Sequence, residues 1–144
     1  MQLDIVTPKG RLLQADVDEF TAPGALGEMG VLPGHIPFLG AVRPGVVRWR
    51  RGGETGAIAV GPGFLEVGAG DRCVILTQQG APAADIDVGA ARAELAEVQK
   101  RLDHWDDPDA AKRTEAEARR DWAQARLDAA GAGAAAAQAG GGGH

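Results

Sequence analysis

The sequence contains no serine, no asparagine and no tyrosine among its 144 residues. A serine nucleophile and an asparagine oxyanion donor are therefore excluded. The three histidines, His35, His104 and His144, have no second histidine, cysteine or acid at metal-ligand spacing on a recognisable element. No glycine cluster matches the known phosphate-binding patterns. We therefore expect no catalytic residues, no metal and no cofactor, and we predict that the chain is not an enzyme.

Other absences limit the partners and the location of the protein. The net charge is −5, which gives no reason to expect a nucleic-acid partner. No apolar run approaches the roughly 20 residues that span a bilayer, and the start MQLDIVTPKG lacks the features of a signal peptide. We expect a cytoplasmic protein without direct membrane insertion, which can still join a membrane-bound complex through another subunit. The single cysteine, Cys73, lies in an apolar run and is predicted to be a buried thiol.

The composition of the chain changes near residue 85. β-Branched residues, glycine and proline dominate before this point, and alanine, glutamate, aspartate and arginine dominate after it. We predict a β-sandwich domain over residues 1–85, a helical hairpin over 86–130 and a disordered Gly/Ala tail over 131–144.

The first domain is predicted to consist of short strands. Turn signals such as Pro23-Gly24 and Pro62-Gly63 separate segments of β-type composition. The predicted strands are 3–7, 11–22, 45–51, 56–60, 64–67 and 72–77. Many short strands with regular turns indicate a β-sandwich or flattened barrel, followed here by the antiparallel two-helix hairpin.

The second domain has apolar residues at helical spacing. In the first helix they are Val88, Ala91, Leu95, Val98 and Leu102, and in the second Ala111, Ala118, Trp122, Ala125 and Ala129. Asp107 and Pro108 are predicted to begin the second helix, which runs to about residue 130. Because this apolar seam is thin, the hairpin is predicted to be marginally stable alone and to dock or move. The alternative is a hairpin that stays permanently closed on the sandwich.

The segment GEMGVLPGHIPFLG, residues 27–40, combines four glycines and two prolines with six large apolar side chains. We interpret it as a loop-rich segment. Part of its apolar surface is expected to face the core. The remainder would form an exposed patch, which is typical of a partner surface.

This segment resembles the signature of the epsilon subunit of bacterial F-type, proton-translocating ATP synthases. The similarity continues through VRPGVVRWR (42–50) and VGPGFLEV (60–67) and covers residues 1 to about 130 in order. The resemblance implies a β-sandwich that binds the rotating gamma subunit and the ring of c subunits, coupling proton flow to ATP synthesis. It also implies a two-helix domain that can extend to the catalytic beta subunits and inhibit hydrolysis. The implied location is the cytoplasmic face of the bacterial inner membrane, as a peripheral part of the complex.

The resemblance also indicates which residues form the partner interface. Glu28 is expected to contact polar loops of the c-ring, and the 29–39 stretch is expected to help bind gamma. The candidate interface residues are Glu28, Met29, Val31, Leu32, His35, Ile36 and Phe38. The residues alone leave two alternatives open: Glu28 as a solvated turn acid, and His35 as a turn residue that bonds nearby backbone.

Two further features of the helical region follow from the resemblance. Some bacterial members bind ATP through a motif of the form I-D-x-x-R-A. Ile86 and Asp87 match its start, but Ala90 stands at the arginine position, so only a weak remnant of the motif is present. We predict weak or no ATP binding, because a bidentate anion clamp is lost. Arg113, Arg119, Arg120 and Arg126 could still line a phosphate path, the alternative being ordinary helix-surface charges. Arg119, Arg120 and Arg126 are also candidate inhibitory contacts to an acidic segment of the catalytic subunit.

A stand-alone β-sandwich module with a helical appendage, binding a protein or a small ligand, is the competing interpretation. Binding to gamma separates the two hypotheses, since only a rotor subunit should bind gamma at equal stoichiometry.

Overall fold

The computed structural model describes the backbone of residues 1–142 and the side chains of residues 1–135. Ten strands come first, followed by a short 3-10 helix, Ala83–Asp85, and two α-helices. The strands are β1 (Gln2–Thr7), β2 (Gly10–Asp16), β3 (Glu19–Gly24), β4 (Gly27–Val31), β5 (Phe38–Val42), β6 (Gly45–Arg51), β7 (Glu54–Val60), β8 (Gly63–Gly68), β9 (Arg72–Thr77) and β10 (Gly80–Pro82). The helices are α1 (Val88–Asp103) and α2 (Ala110–Gly142).

The strands form two layers that are joined at one side. One layer has the order β10-β7-β6-β3 with β4 also paired to β3, and the other has the order β5-β8-β9-β1-β2. A single pair, Gly24 with Val42, connects β3 to β5. The inner faces enclose one apolar core, whose largest fully buried side chains include Phe20, Leu3, Ile5, Ile58 and Leu65. The predicted β-sandwich followed by a helical hairpin is therefore confirmed.

Two strand predictions are wrong. The predicted strand 11–22 is broken at Val17 and Asp18, whose amides donate to the carbonyls of Met1 (2.7 Å) and Arg50 (2.8 Å). Because these partners are distant in sequence, local alternation gives no sign of the break. The segment 27–40, interpreted as loop-rich, contains β4 and β5 with a loop over residues 32–37.

Aspartate side chains cap the N-termini of both helices. The Asp87 carboxylate accepts from the Ala90 amide at 3.0 Å and caps α1. At α2, the Asp109 carboxylate accepts from the Ala111 amide at 2.9 Å, so the helix begins at Ala110 rather than at Pro108.

The second helix continues to Gly142, which differs from the predicted disordered tail. Alanine has the strongest helix propensity of all residues, and Ala132 packs beside the sheet. These two effects outweigh the glycines in the segment 131–142. Residues 143 and 144 of the predicted tail lie outside the described residues.

The α2 helix lies between α1 and the sandwich. On one side Ala125 and Ala129 pack against β6 and β7, and on the other Ala116 packs with Val98 and Leu102 of α1. The predicted seam of α2 is therefore only partly right, and Ala118 is exposed. The reason is that α2 buries two faces, one against the sheet and one against α1, whereas the predicted seam assumed a single buried face. Neither helix of the described residues is long and apolar enough to cross a membrane.

Candidate functional site

The strand β4 divides its side chains between the core and the surface. Val31 is 1% exposed and belongs to the sandwich core, although it is a predicted interface residue. Met29 is partly buried against the same core. Glu28 is exposed, and its carboxylate lies 3.5 Å from the Arg48 guanidinium of β6. Val31 is thus a structural residue, and Glu28 is the residue of β4 that a polar partner can reach.

The loop 32–37 carries the remaining predicted interface residues. Leu32 is exposed and Ile36 is 78% exposed, which is unusual for large apolar side chains. The Nδ1 atom of His35 lies 2.8 Å from the carbonyl oxygen of Ile36, and its ring centroid lies 5.0 Å from that of Phe38. His35 therefore makes the local backbone contact that the alternative interpretation predicts.

A second apolar surface lies on the outer face of the sheet formed by β5, β8, β9 and β1. The pairing register places Ala41, Phe64, Leu76 and Val6 in one row across the four strands. Phe64 is 56% exposed and Leu76 is 53% exposed, and the exposed Leu39 lies two residues from Ala41 on the same face. An open groove of about 630 Å³ runs along this row. We call these five residues the apolar sheet face.

The apolar sheet face has no counterpart among the interface residues predicted from the sequence. Alternation within FLEV and RCVILT shows which residues share one side of a strand. It does not show which side the second layer covers. One signal was available in the sequence. Phe64 and Leu76 are large and apolar, yet each directly neighbours another large apolar residue, Leu65 or Ile75, that points to the opposite side of its strand.

The predicted arginines of α2 are held by acids. Glu94 of α1 receives a hydrogen bond from the Arg126 guanidinium, and its carboxylate lies 3.5 Å from Arg119. Arg126 is only 18% exposed at its side chain, and these guanidinium groups, Arg126 first, lower the pKa of Glu94. Arg120 pairs with the neighbouring Asp121 at 3.2 Å. The structure thus brings Arg119 and Arg126 together around one carboxylate and leaves Arg120 apart.

The remnant of the nucleotide motif has structural contacts instead. Asp87 caps α1, and Ile86 packs in the cluster beneath α2. Ala90 is exposed and places no cation near Asp87. Weak or absent ATP binding stays a prediction.

Comparison with known proteins identifies relatives of this chain. Residues 1–83 match the family model described as ATP synthase, Delta/Epsilon chain, beta-sandwich domain. An ATP synthase epsilon chain of Anaeromyxobacter sp. (strain K) is 41% identical over 131 residues, covering 91% of this chain and 98% of the relative. Another, from Anoxybacillus flavithermus, is 43% identical over 102 residues, covering 71% of this chain and 75% of the relative.

A solved structure gives the same result. A chain of the Euglena gracilis mitochondrial ATP synthase, determined as an OSCP/F1/c-ring assembly, superposes with a TM-score of 0.75 at 26% identity. The match covers 89% of this chain and 79% of that chain. A two-layer β-domain followed by a helical hairpin is thus the architecture of a subunit of a larger assembly. The chain belongs to the delta/epsilon chain family of ATP synthase. Within that complex it is a non-catalytic subunit.

Proposed function

We propose that the sandwich of this chain binds the gamma subunit and the c-ring, and that the hairpin inhibits ATP hydrolysis by extending to the catalytic beta subunits. The complex would sit at the cytoplasmic face of the bacterial inner membrane. The observation that carries the proposal is the apolar sheet face, which is exposed in a chain whose other sheet is covered by the hairpin. A large apolar surface of this kind is typical of a site that a partner covers.

The apolar sheet face suits a permanent contact with gamma. Its row of side chains crosses four strands, so the backbone that supports it is rigid and held by ladder hydrogen bonds. Burying a phenylalanine or a leucine that is otherwise exposed contributes about 1.5–3 kcal/mol. Both Phe64 and Leu76 are about half exposed, so each has apolar area left to bury on binding.

Replacing Phe64 by glutamate should weaken binding to gamma by about 10- to 100-fold, because the contact loses roughly 1.5–3 kcal/mol. Titration calorimetry of the purified chain with gamma measures the change. The Ala96→Glu variant introduces the same charge on an exposed face of α1 and should bind like the unaltered chain. Wild-type affinity of the Phe64→Glu variant would place the gamma contact elsewhere.

We assign the c-ring contact to a different part of the sandwich, which moves Leu32 and Ile36 from the gamma contact that the resemblance implies to the ring. Leu32 and Ile36 project from the loop 32–37, and Glu28 presents a carboxylate whose partner Arg48 is itself half exposed. An apolar tip with a nearby charged pair suits the polar loops of a membrane ring. His35 supports this loop through its contacts with Ile36 and Phe38.

The hairpin is proposed to act through Arg119, Arg120 and Arg126 when it extends. In the docked arrangement the Glu94 carboxylate pairs with both Arg119 and Arg126, so one of their two positive charges is neutralised within the chain. Separation of α1 from α2 would release both cations for an acidic segment of the catalytic subunit. Docking on the sandwich and inhibition of hydrolysis are then mutually exclusive states of one element.

Replacing the three arginines together by alanine should raise the ATPase rate of the assembled enzyme several-fold, toward the rate measured with a chain that lacks residues 86–144. The physical reason is the loss of the charge that holds the extended hairpin to the catalytic subunit. Steady-state ATPase assays of the reconstituted complex test this. If the truncated chain raises the rate and the triple variant does not, the helices inhibit without these arginines.

A further inference from the structure

The turn between β8 and β9 contains an unusual backbone conformation. Asp71 has φ of 57°, and it is the one non-glycine residue with positive φ among residues 1–142. The neighbouring Gly70 has φ of 74°. A left-handed conformation disfavours residues with a side chain, and glycine would adopt it without strain. Aspartate is one of the few residues with a side chain that tolerate this conformation, so the position combines the turn with a carboxylate.

The Asp71 side chain contacts a loop far away in sequence. Its carboxylate accepts a hydrogen bond from the Gly34 amide at 2.7 Å, across 37 residues. Its own carbonyl accepts from the Gln2 amide at 2.9 Å, which fixes the turn to the start of β1. Asp71 thus connects the loop 32–37 to a rigid part of the sandwich.

The loop 32–37 has few other attachments. Its remaining hydrogen bonds are internal: the His35 amide donates to the Leu32 carbonyl at 3.2 Å, and the His35 ring contacts the Ile36 carbonyl. Within the described residues, the bond from Gly34 to Asp71 is the one hydrogen bond found between this loop and another segment. Gly34 itself has φ of 81°, so it is the point where the loop reverses.

We propose that Asp71 is a positioning residue for the rotor contact. Its carboxylate holds Gly34, and Gly34 orients the flanking Leu32 and Ile36 as a preformed apolar tip. Fixing a flexible backbone on binding costs conformational entropy. A loop that is ordered before binding avoids that cost at the moment of association, and the affinity rises accordingly. This inference rests on the proposed function, since it assigns Leu32 and Ile36 to the contact with the c-ring.

Two substitutions distinguish the effect of the Asp71 carboxylate from the effect of its left-handed backbone conformation. Asp71→Gly keeps the left-handed turn and removes the carboxylate, whereas Asp71→Asn keeps the turn and one acceptor oxygen. We expect Asp71→Gly to bind the isolated gamma–c-ring subcomplex 5- to 10-fold more weakly, with an unchanged or higher Tm. The Asp71→Asn variant should bind within about twofold of the unaltered chain. Amide hydrogen exchange of Gly34 should accelerate in Asp71→Gly and stay slow in Asp71→Asn.

A matched control removes a similar bond at another turn. The Asp18 carboxylate accepts from the Gly52 amide at 2.6 Å and from the Arg50 guanidinium at 3.1 Å. Asp18→Ala therefore loses a similar bond to a turn amide, and an ion pair as well, without touching the loop 32–37. Its affinity for the subcomplex should not change. Wild-type affinity of Asp71→Gly would overturn the positioning role, and so would Gly34 exchange that the substitution leaves unchanged. If the unaltered chain fails to bind the subcomplex, the proposed function is wrong, and Gly34 exchange still decides whether Asp71 holds the loop.

Discussion

Replacing Ala129 by leucine should detach the helical hairpin from the β-sandwich. Ala129 is fully buried and packs in the cluster formed with Val46, Ala57, Ala59 and Ala125. Three additional carbons in a closed site cost about 1–3 kcal/mol. The sandwich has its own larger core, so the helix is expected to move away while the sheet keeps its shape. The expected result is an undocked hairpin on an intact sandwich.

Hydrogen exchange measured by mass spectrometry reports both parts of this prediction. Amides of β1, β8 and β9 should keep their protection, and amides of α2 should exchange faster. Ala118→Leu adds the same side chain to an exposed position of the same helix and serves as the control. In the assembled enzyme the Ala129→Leu variant should also inhibit ATP hydrolysis more strongly, because the docked state competes less well. Unchanged protection of α2 would show that this interface tolerates a larger side chain.

Replacing Glu94 by glutamine should open the hairpin between α1 and α2. The substitution preserves the shape of the side chain but removes the counter-ion of Arg126 and Arg119. Glutamine keeps one acceptor oxygen for one guanidinium but presents an NH2 group to the other. One contact to a charged partner, worth about 1.5–3 kcal/mol, is therefore lost, and the separated form should rise by 10- to 100-fold. Energy transfer between labels placed on α1 and α2 measures the distance. Glu97→Gln removes an exposed acid from the same helix, and it should leave the distance unchanged.

The same ion pair predicts a pH dependence with a definite sign. Because Arg126 lowers the pKa of Glu94, the closed hairpin binds the proton more weakly than the separated helices do. The stabilisation is complete above the pKa of an unpaired glutamate, about 4.3. It is lost as the pH falls through the lowered pKa of the closed form. Acidification should therefore separate the helices in the unaltered chain, and the Glu94→Gln variant should lack this transition. A distance that is independent of pH in both chains would contradict the assignment.

The sequence predicted the architecture because its signals are local. Turn dipeptides and the change in composition near residue 85 mark the sandwich and the hairpin directly. The break at Val17 and Asp18 was missed because it depends on contacts with Met1 and Arg50. The extent of α2 was missed because glycines in the tail suggested disorder, while its alanines and its packing on the sheet favour helix.

The candidate site was only partly predictable for the same reason. Large apolar residues among glycines and prolines identified the segment 27–40, and Leu32 and Ile36 are indeed exposed. The inward direction of Val31 depends on which strands flank β4, and this information is absent from the segment. Likewise, the charges of Glu94 and Arg126 are visible in the sequence, but a partnership across 32 residues exists only once the hairpin closes.

The alanine contact between α2 and the sheet has a kinetic consequence. Methyl groups have no rotamers to rearrange and no long side chains to withdraw from holes in the opposite surface. At Ala125 and Ala129 the helix can therefore leave β6 and β7 without repacking, and in the same cluster Trp122 is the long side chain of α2 that has to be withdrawn. A contact of this kind has a low barrier in both directions. Because the Glu94 ion pairs join α1 to α2 and not α2 to the sheet, the hairpin in the proposed function would leave the sheet as a unit, with little side-chain interlocking to slow it.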